Sequence, residues 1–336
     1  MNQKVPCEEA FRLCKNALEQ NDISAESADA IAKSLIDAEL QGKSNVGWPH
    51  LVDYLEAVQE GRVDGQASPK INRSAPALFQ IDADGGFPHT GVEQVFDEFV
   101  EITKNYGISA LGVNNGYISG ELGYFVRRLA NQDLLGLAAT NAGPALLAAS
   151  GSKSPVFCTN PLAFAVPRKQ APPLVIDQSC SATAFVNIRK AAKSGESIPE
   201  GWALDSGGKP TTDPHAALKG VLLAFGGNRG ANIAMMVELL AAGTTGANWS
   251  RDAPPFYIGN ECTRTGLFII ALDANTMLGE DFSERVNDYL NTIQAEHQTY
   301  IPGEQRGLDA ERRKREGLLI PDDVWKLLNK YDAKSV

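Results

Sequence analysis

From Gly65 onward the sequence alternates short apolar runs of strand length with longer stretches of helical period. That alternation limits the chain to a sheet covered by helices. Strands are predicted over residues 77–82, 108–113, 134–141, 164–166, 174–176 and 267–272. Helices are predicted over residues 92–106, 120–131 and 182–193, from the Gly226-Gly227 turn through Ala241, and over 282–296. The first sixty residues are purely helical in pattern. One helix covers residues 8–18, a second is opened by Ser24 as N-cap and stopped by Gly42, and a third runs from about Pro49 to Gly61. Three segments follow: 1–64, helical; 65–300, the αβ core; and 301–336, a helical tail packed on that core.

Composition narrows the class further. The 336 residues carry 31 Lys and Arg against 41 Asp and Glu, a net charge of -10, which opposes a nucleic-acid partner. The one basic run, Arg312 to Arg315, is flanked by Glu311 and Glu316 and reads as a solvated helix face. Five cysteines without a CxxC pair predict reduced thiols rather than disulfides or a zinc site. The N-terminus has no signal-peptide core, and no apolar run reaches the roughly 18 residues of a membrane span. A cytoplasmic protein without a membrane partner is expected.

Few short motifs carry chemistry. HExxH, GxSxG and the Rossmann GxGxxG after a strand are all missing from the sequence. Phe225-Gly-Gly-Asn-Arg-Gly places glycines and Arg229 before a helix, either an anion site or a tight turn with the arginine in solvent. Thr159 and Asn160 either bind a carboxylate or amide, or satisfy a turn. Asp177 ends an apolar run, as a ligand-facing strand end or as the N-cap of the helix predicted from residue 182. Of four histidines, His50 opens a helix and His89 lies in a turn able to approach a cleft, while His215 and His297 are expected at the surface.

The longer segments resemble one family. Thr159-Asn-Pro-Leu-Ala-Phe-Ala-Val-Pro, Ile198-Pro-Glu-Gly-Trp-Ala-Leu-Asp, Pro210-Thr-Thr-Asp-Pro, Phe225-Gly-Gly-Asn-Arg-Gly and Ile301-Pro-Gly-Glu are similar to segments of malate/L-lactate dehydrogenase family members. Gly61-Arg-Val-Asp-Gly-Gln-Ala-Ser-Pro is nearest the Δ1-piperideine-2-carboxylate/Δ1-pyrroline-2-carboxylate reductase branch. The resemblance implies the malate/L-lactate (sulfolactate) dehydrogenase-like fold, α/β with a largely antiparallel central sheet and not a Rossmann fold. It implies a homodimer using NADPH or NADH on a small carboxylate substrate. It places Tyr117, Ser119, Gly120, Glu121, Asp177, Gln178, Ser179, Asn228, Arg229 and Arg306 against the cofactor, and Thr159 against the substrate.

The chain departs from that pattern where the family keeps its acid. Asn45 and Val46 stand in the serine and histidine places, and His50 stands for the arginine that binds the substrate carboxylate. Tyr117-Ile118 replaces a histidine pair, Asn187 the relay aspartate, and Asn228 the histidine of the glycine turn. Two readings follow. In one, hydride transfer to a 2-imino or 2-keto carboxylate persists, with His50, or alternatively Tyr117, as relocated donor, and an imine favoured because it arrives already protonated. In the other, the scaffold binds a nucleotide or small acid without turnover.

Overall fold

The computed structural model describes residues 3–279 and 281–332. Its central sheet has seven strands: β2 (Lys70–Ala75), β3 (Leu78–Asp82), β4 (Ile108–Gly116), β13 (Thr265–Leu272), β5 (Leu135–Thr140), β8 (Leu162–Val166) and β9 (Leu174–Gln178), in that order. Only β3 and β4 pair in parallel; every other neighbour is antiparallel, as the resemblance implies. Phe79, Ile81, Leu111, Val113, Leu267 and Ile269 alternate inward with period two and meet α4 (Pro88–Tyr106) and α5 (Leu122–Ala130) in one core.

A smaller five-stranded sheet carries β6 (Leu147–Ala148) and β7 (Pro155–Phe157) at one edge, with β10 (Ala203–Leu204), β11 (Pro210–Thr211) and β12 (Val221–Leu222) beyond them. It shares a core with α6 (Phe185–Ser194) and α8 (Asn228–Glu238), with α7 (Pro214–Leu218) beside it. The helical ends close on each other. β1 (Gln3–Val5) pairs with β14 (Leu318–Ile320), and α1 (Cys7–Glu19) packs against α12 (Asp322–Asp332). Their core includes α2 (Ala25–Leu40) and α3 (Trp48–Gln59) and reaches Phe87, Tyr117 and Ile118. The short α9 (Ala274–Leu278), α10 (Phe282–His297) and α11 (Glu304–Glu316) complete the described chain.

Several predicted bounds move for local reasons. α4 begins at Pro88, whose missing N–H costs nothing in a first helical turn. His89 therefore sits in that helix, 2% exposed, and not in a turn. α5 begins at Leu122 because Gly120 takes a left-handed φ of 65°. α6 begins at Phe185, capped at Ala184, so Asp177 is not its N-cap. The helix expected to run through Ala241 passes at Leu239–Gly243 into a π-turn, where Gly266 lets β13 lie against the Ala241 carbonyl. The expected tail is helix, strand and helix, and Arg313 of its basic run donates to the Leu40 carbonyl at 2.6 Å. Ser24 caps α2 as predicted, accepting the Ser27 N–H. Among the described residues no helix is long and apolar enough to cross a membrane.

Candidate active site

Two cavities flank the C-terminal end of β9. The first, of about 300 Å³, is walled by Val46 and His50 of the α3 approach, Ile118-Ser119-Gly120 beyond β4, Thr159, Ser179, and Phe185 and Arg189 of α6. Phe256 and Tyr257 close its mouth. The second, of about 260 Å³, is walled by Gln41, Lys43, Arg127, Asp177, Gln178 and Arg306. Gln178 and Ser179 are adjacent in sequence yet face different cavities, so one strand end joins them.

His50 owes its place to the loop before it. Gly47 lies so close to Glu39 that a Cβ there would overlap the carboxylate, and the same carboxylate accepts the Trp48 N–H at 2.8 Å. Glu39 thus fixes the first turn of α3. Burial pushes the His50 imidazole down to about 4, so at neutral pH it offers one N–H and one lone pair and no positive charge. His50 therefore offers the cavity a neutral polar group at neutral pH.

Beneath His50 lie Tyr54 and His89, both buried. The Tyr54 hydroxyl is 3.5 Å from His50 Nδ1. A Cβ on Gly120 would stand 3.1 Å from Tyr54 Oη, 3.7 Å from His89 Nε2 and 3.8 Å from His50 Nδ1. Three neutralisable polar atoms therefore converge on the one wall residue without a side chain. Burial pushes the His89 imidazole down to about 4 as well.

Tyr117 is placed otherwise than expected. Its hydroxyl donates to the Phe256 carbonyl at 2.7 Å, it walls neither cavity, and burial pushes it up to about 12. It ties the Phe256 loop to the core. Asn160 is likewise structural, donating to the Ala234 carbonyl at 2.9 Å and to Glu238 at 2.7 Å, which leaves Thr159 to the cavity. Asn45 is exposed and outside both cavities. So is Asn187, whose amide donates to the Thr183 hydroxyl at 3.1 Å. Asn228 and Arg229 are exposed at the start of α8 and reach neither cavity.

The second cavity rests on packed charge. Lys43 pairs with Asp177 and, at 3.0 Å, with Glu121; Arg127 pairs with Asp37 and, at 3.1 Å, with Glu121. Asp177 also accepts the Gly123 N–H at 3.1 Å, so it caps α5. Burial alone would raise the Glu121 carboxyl, but Arg127 and Lys43 hold it below its usual range. Glu121 is thus a buried strut rather than a cavity wall. Arg306 differs from its neighbours. It donates to the Gln41 carbonyl at 3.2 Å and, among the described residues, pairs with no carboxylate. Lys43, Arg127, Arg189 and Tyr54 were not singled out by sequence reasoning, whereas His89 was, as a histidine able to approach a cleft. One-turn spacings, Phe185–Arg189 and His50–Tyr54, are the local signals that Arg189 and Tyr54 carry.

Comparison with known proteins agrees with this architecture. The sequence profile described as malate/L-lactate dehydrogenase matches residues 5–329. A (2R)-3-sulfolactate dehydrogenase (NADP(+)) of Chromohalobacter salexigens is 34% identical over all of both chains. A Δ1-pyrroline-2-carboxylate/Δ1-piperideine-2-carboxylate reductase of Pseudomonas putida is 32% identical over 95% of this chain and 94% of its own. The crystal structure of Δ1-piperideine-2-carboxylate reductase from Pseudomonas syringae superposes with a TM-score of 0.92 at 29% identity, covering 98% of this chain and 99% of that one.

Proposed function

The chain belongs to the malate/L-lactate dehydrogenase family, and we propose that it is an NAD(P)H-dependent reductase of a small 2-imino or 2-keto carboxylate, with a cyclic 2-imino acid as the preferred class. The observation that carries this reading is a neutral His50 sharing one largely apolar cavity with Thr159 and the Ser119-Gly120 backbone.

The two cavities suit a dinucleotide. The first offers largely apolar walls; the second offers Arg306, a cation with no carboxylate of its own among the described residues. Lys43, Asp177 and Gln178 would line the path between them. When bound, the reduced nicotinamide supplies the hydride. NADPH is the preferred form, because Arg306 can hold an additional phosphate.

The residues of the chain then have limited proton work. A ketone needs an acid to quench the developing alkoxide, and an imidazole held neutral by burial is a poor one. An iminium arrives with its proton on nitrogen. His50 Nε2 accepts that N–H, and His50 Nδ1–H donates toward Tyr54 Oη, 3.5 Å away, with His89 packed beyond it. Each of the three groups stays neutral at pH 7, in keeping with the burial of Tyr54 and His89 and the part-burial of His50. Thr159 and the Ser119 hydroxyl border the ring of the substrate, and Phe256 and Tyr257 exclude water above it.

Oxidation of NADPH is the test, measured against a panel of cyclic 2-imino acids, 2-keto acids and 2-hydroxy acids. Cyclic imino acids turning over at least tenfold faster than the matching keto acids are expected; keto acids turning over faster would contradict the imine preference. We further take the protein to act as a homodimer in the cytoplasm. Exposed Met235, Met236 and Leu239 on one side of the α8 region, with Trp249 beside them, support an apolar contact face. Light scattering at twice the 36.0 kDa chain mass is expected. The alternative of a binding protein without turnover is favoured by no feature of the cavity.

A further inference from the structure

The first cavity contains one permanent charge. Arg189, on the exposed side of α6, points its guanidinium between two rings of the cavity mouth, 5.1 Å from the Phe185 centroid and 5.3 Å from that of Tyr257. Among the described residues it has no carboxylate partner in contact; Asp53 feels its charge only from a distance. Stacking of this kind holds the planar fork in one orientation while leaving its N–H edges free. The remaining walls are Val46, Ile118, Leu146, Phe185 and small polar groups, with His50 uncharged. A carboxylate buried among them has a single place to find compensation.

We infer that Arg189 binds the substrate carboxylate, and that the cavity selects acids with one negative charge and an apolar body over acids carrying a second carboxylate or a sulfonate. The inference rests on the proposed reductase reading for its substrate but not for its geometry. His50 stands where the family resemblance places a carboxylate-binding arginine, and burial strips it of charge. The cation needed for the same task comes instead from the opposite wall, one helical turn after Phe185. A second acidic group on the substrate would face Val46, Ile118 or Leu146 with no cation near it, and its desolvation would go uncompensated.

The selection divides the relatives. The name sulfolactate implies a substrate with both carboxylate and sulfonate, whereas pyrroline- and piperideine-carboxylates carry one carboxylate on an apolar ring. Arg189 together with apolar walls fits the second chemistry.

The test uses the full chain with saturating NADP(+), and calorimetry with furan-2-carboxylate and its uncharged amide as probes. The carboxylate should bind at least about tenfold more tightly than the amide, as a charge-assisted pair contributes. Arg189→Gln should remove that difference, and Arg189→Lys should restore part of it, while the dissociation constant of the cofactor stays within twofold. Discrimination that survives in Arg189→Gln, or that is missing from the native chain, overturns the assignment. Turnover gives the second arm. Monoanionic cyclic imino acids should exceed sulfopyruvate and oxaloacetate in kcat/KM by at least tenfold, and equal or greater use of a dianion overturns the selectivity. If the carboxylate probe discriminates as expected but no substrate turns over, the reductase reading fails and the Arg189 site stands. If turnover proceeds but the probe does not discriminate, the reverse holds.

Discussion

The two cavities share a strand end but handle charge in opposite ways. Around Lys43 and Arg127 nearly every charge has a partner: Asp37, Glu121 and Asp177 are tied to the two cations in a partly buried network. Around His50 the polar groups are kept neutral instead, with two imidazoles and a phenol converging on a glycine, and one guanidinium left to face the space. The first arrangement makes a rigid frame whose spare cation, Arg306, serves a phosphate. The second makes an apolar pocket whose spare cation serves an acid. Stability should therefore depend most on the charged frame, and chemistry on the neutral pocket.

The largest expected effect tests the frame. Arg127→Met leaves buried Glu121 and part-buried Asp37 without their shared cation, and should lower folding stability by about 3 kcal/mol in a denaturant titration. A loss under 1 kcal/mol would show that the network is no frame. Next comes acid. His50 and His89 titrate near 4 when folded, whereas an unfolded histidine titrates near about 6.5. Between those values the unfolded chain binds more protons, so stability falls as pH drops from about 6.5 toward 4 and is unaffected by these groups above that range. Each histidine can contribute roughly 3 kcal/mol of this loss when fully developed. A His50→Gln/His89→Gln double variant should lose clearly less stability than the native chain between neutral pH and pH near 4.5; parallel curves would mean that both imidazoles charge freely.

Smaller effects divide chemistry from cofactor binding. His50→Gln should lower kcat/KM for a cyclic imino acid by at least about tenfold, less than a general acid would contribute because His50 only accepts the iminium N–H, and leave cofactor affinity unchanged. Unaltered turnover would remove His50 from the reaction. Arg306→Ala should weaken NADPH by about 1–2 kcal/mol, the lower part of the range for charge-assisted hydrogen bonds because the side chain is exposed. It should leave the acid-over-amide discrimination intact. Arg229→Ala, whose guanidinium reaches neither cavity, should change nothing; a weakened cofactor would return the anion site to the glycine turn.

Much of the fold was legible because periodicity is a local property. Val95, Phe96, Phe99 and Val100 announce α4, and the alternating inward residues of β3, β4 and β13 announce the central sheet. The pairing of β1 with β14 was not legible. Three-residue strands such as Gln3–Val5 and Leu318–Ile320 carry no periodic signal, and their pairing joins opposite ends of the chain. The two-residue strands of the smaller sheet were missed for the same reason.

The site divides along the same line. His50, Thr159, Ser119-Gly120 and Ser179 were named from the sequence because their segments resemble a family, and all of them wall the first cavity. Tyr117 was named for a replaced position and turned out to serve the core, since the strand before it extends to Gly116 and delivers its ring toward α3 and Phe87. Lys43 meets Asp177, and Arg189 meets Tyr257, only across long stretches of chain, where no spacing rule applies.

The central claim is that hydride transfer takes place in the His50–Arg189 cavity. A crystal structure with NADPH and furan-2-carboxylate tests it most directly. The account predicts the nicotinamide ring in that cavity, the ligand carboxylate on Arg189, a cofactor phosphate on Arg306, and the two reacting carbons within about 3.5 Å of each other. A nicotinamide ring found elsewhere, with the cavity filled by side chains of the protein itself, would contradict it.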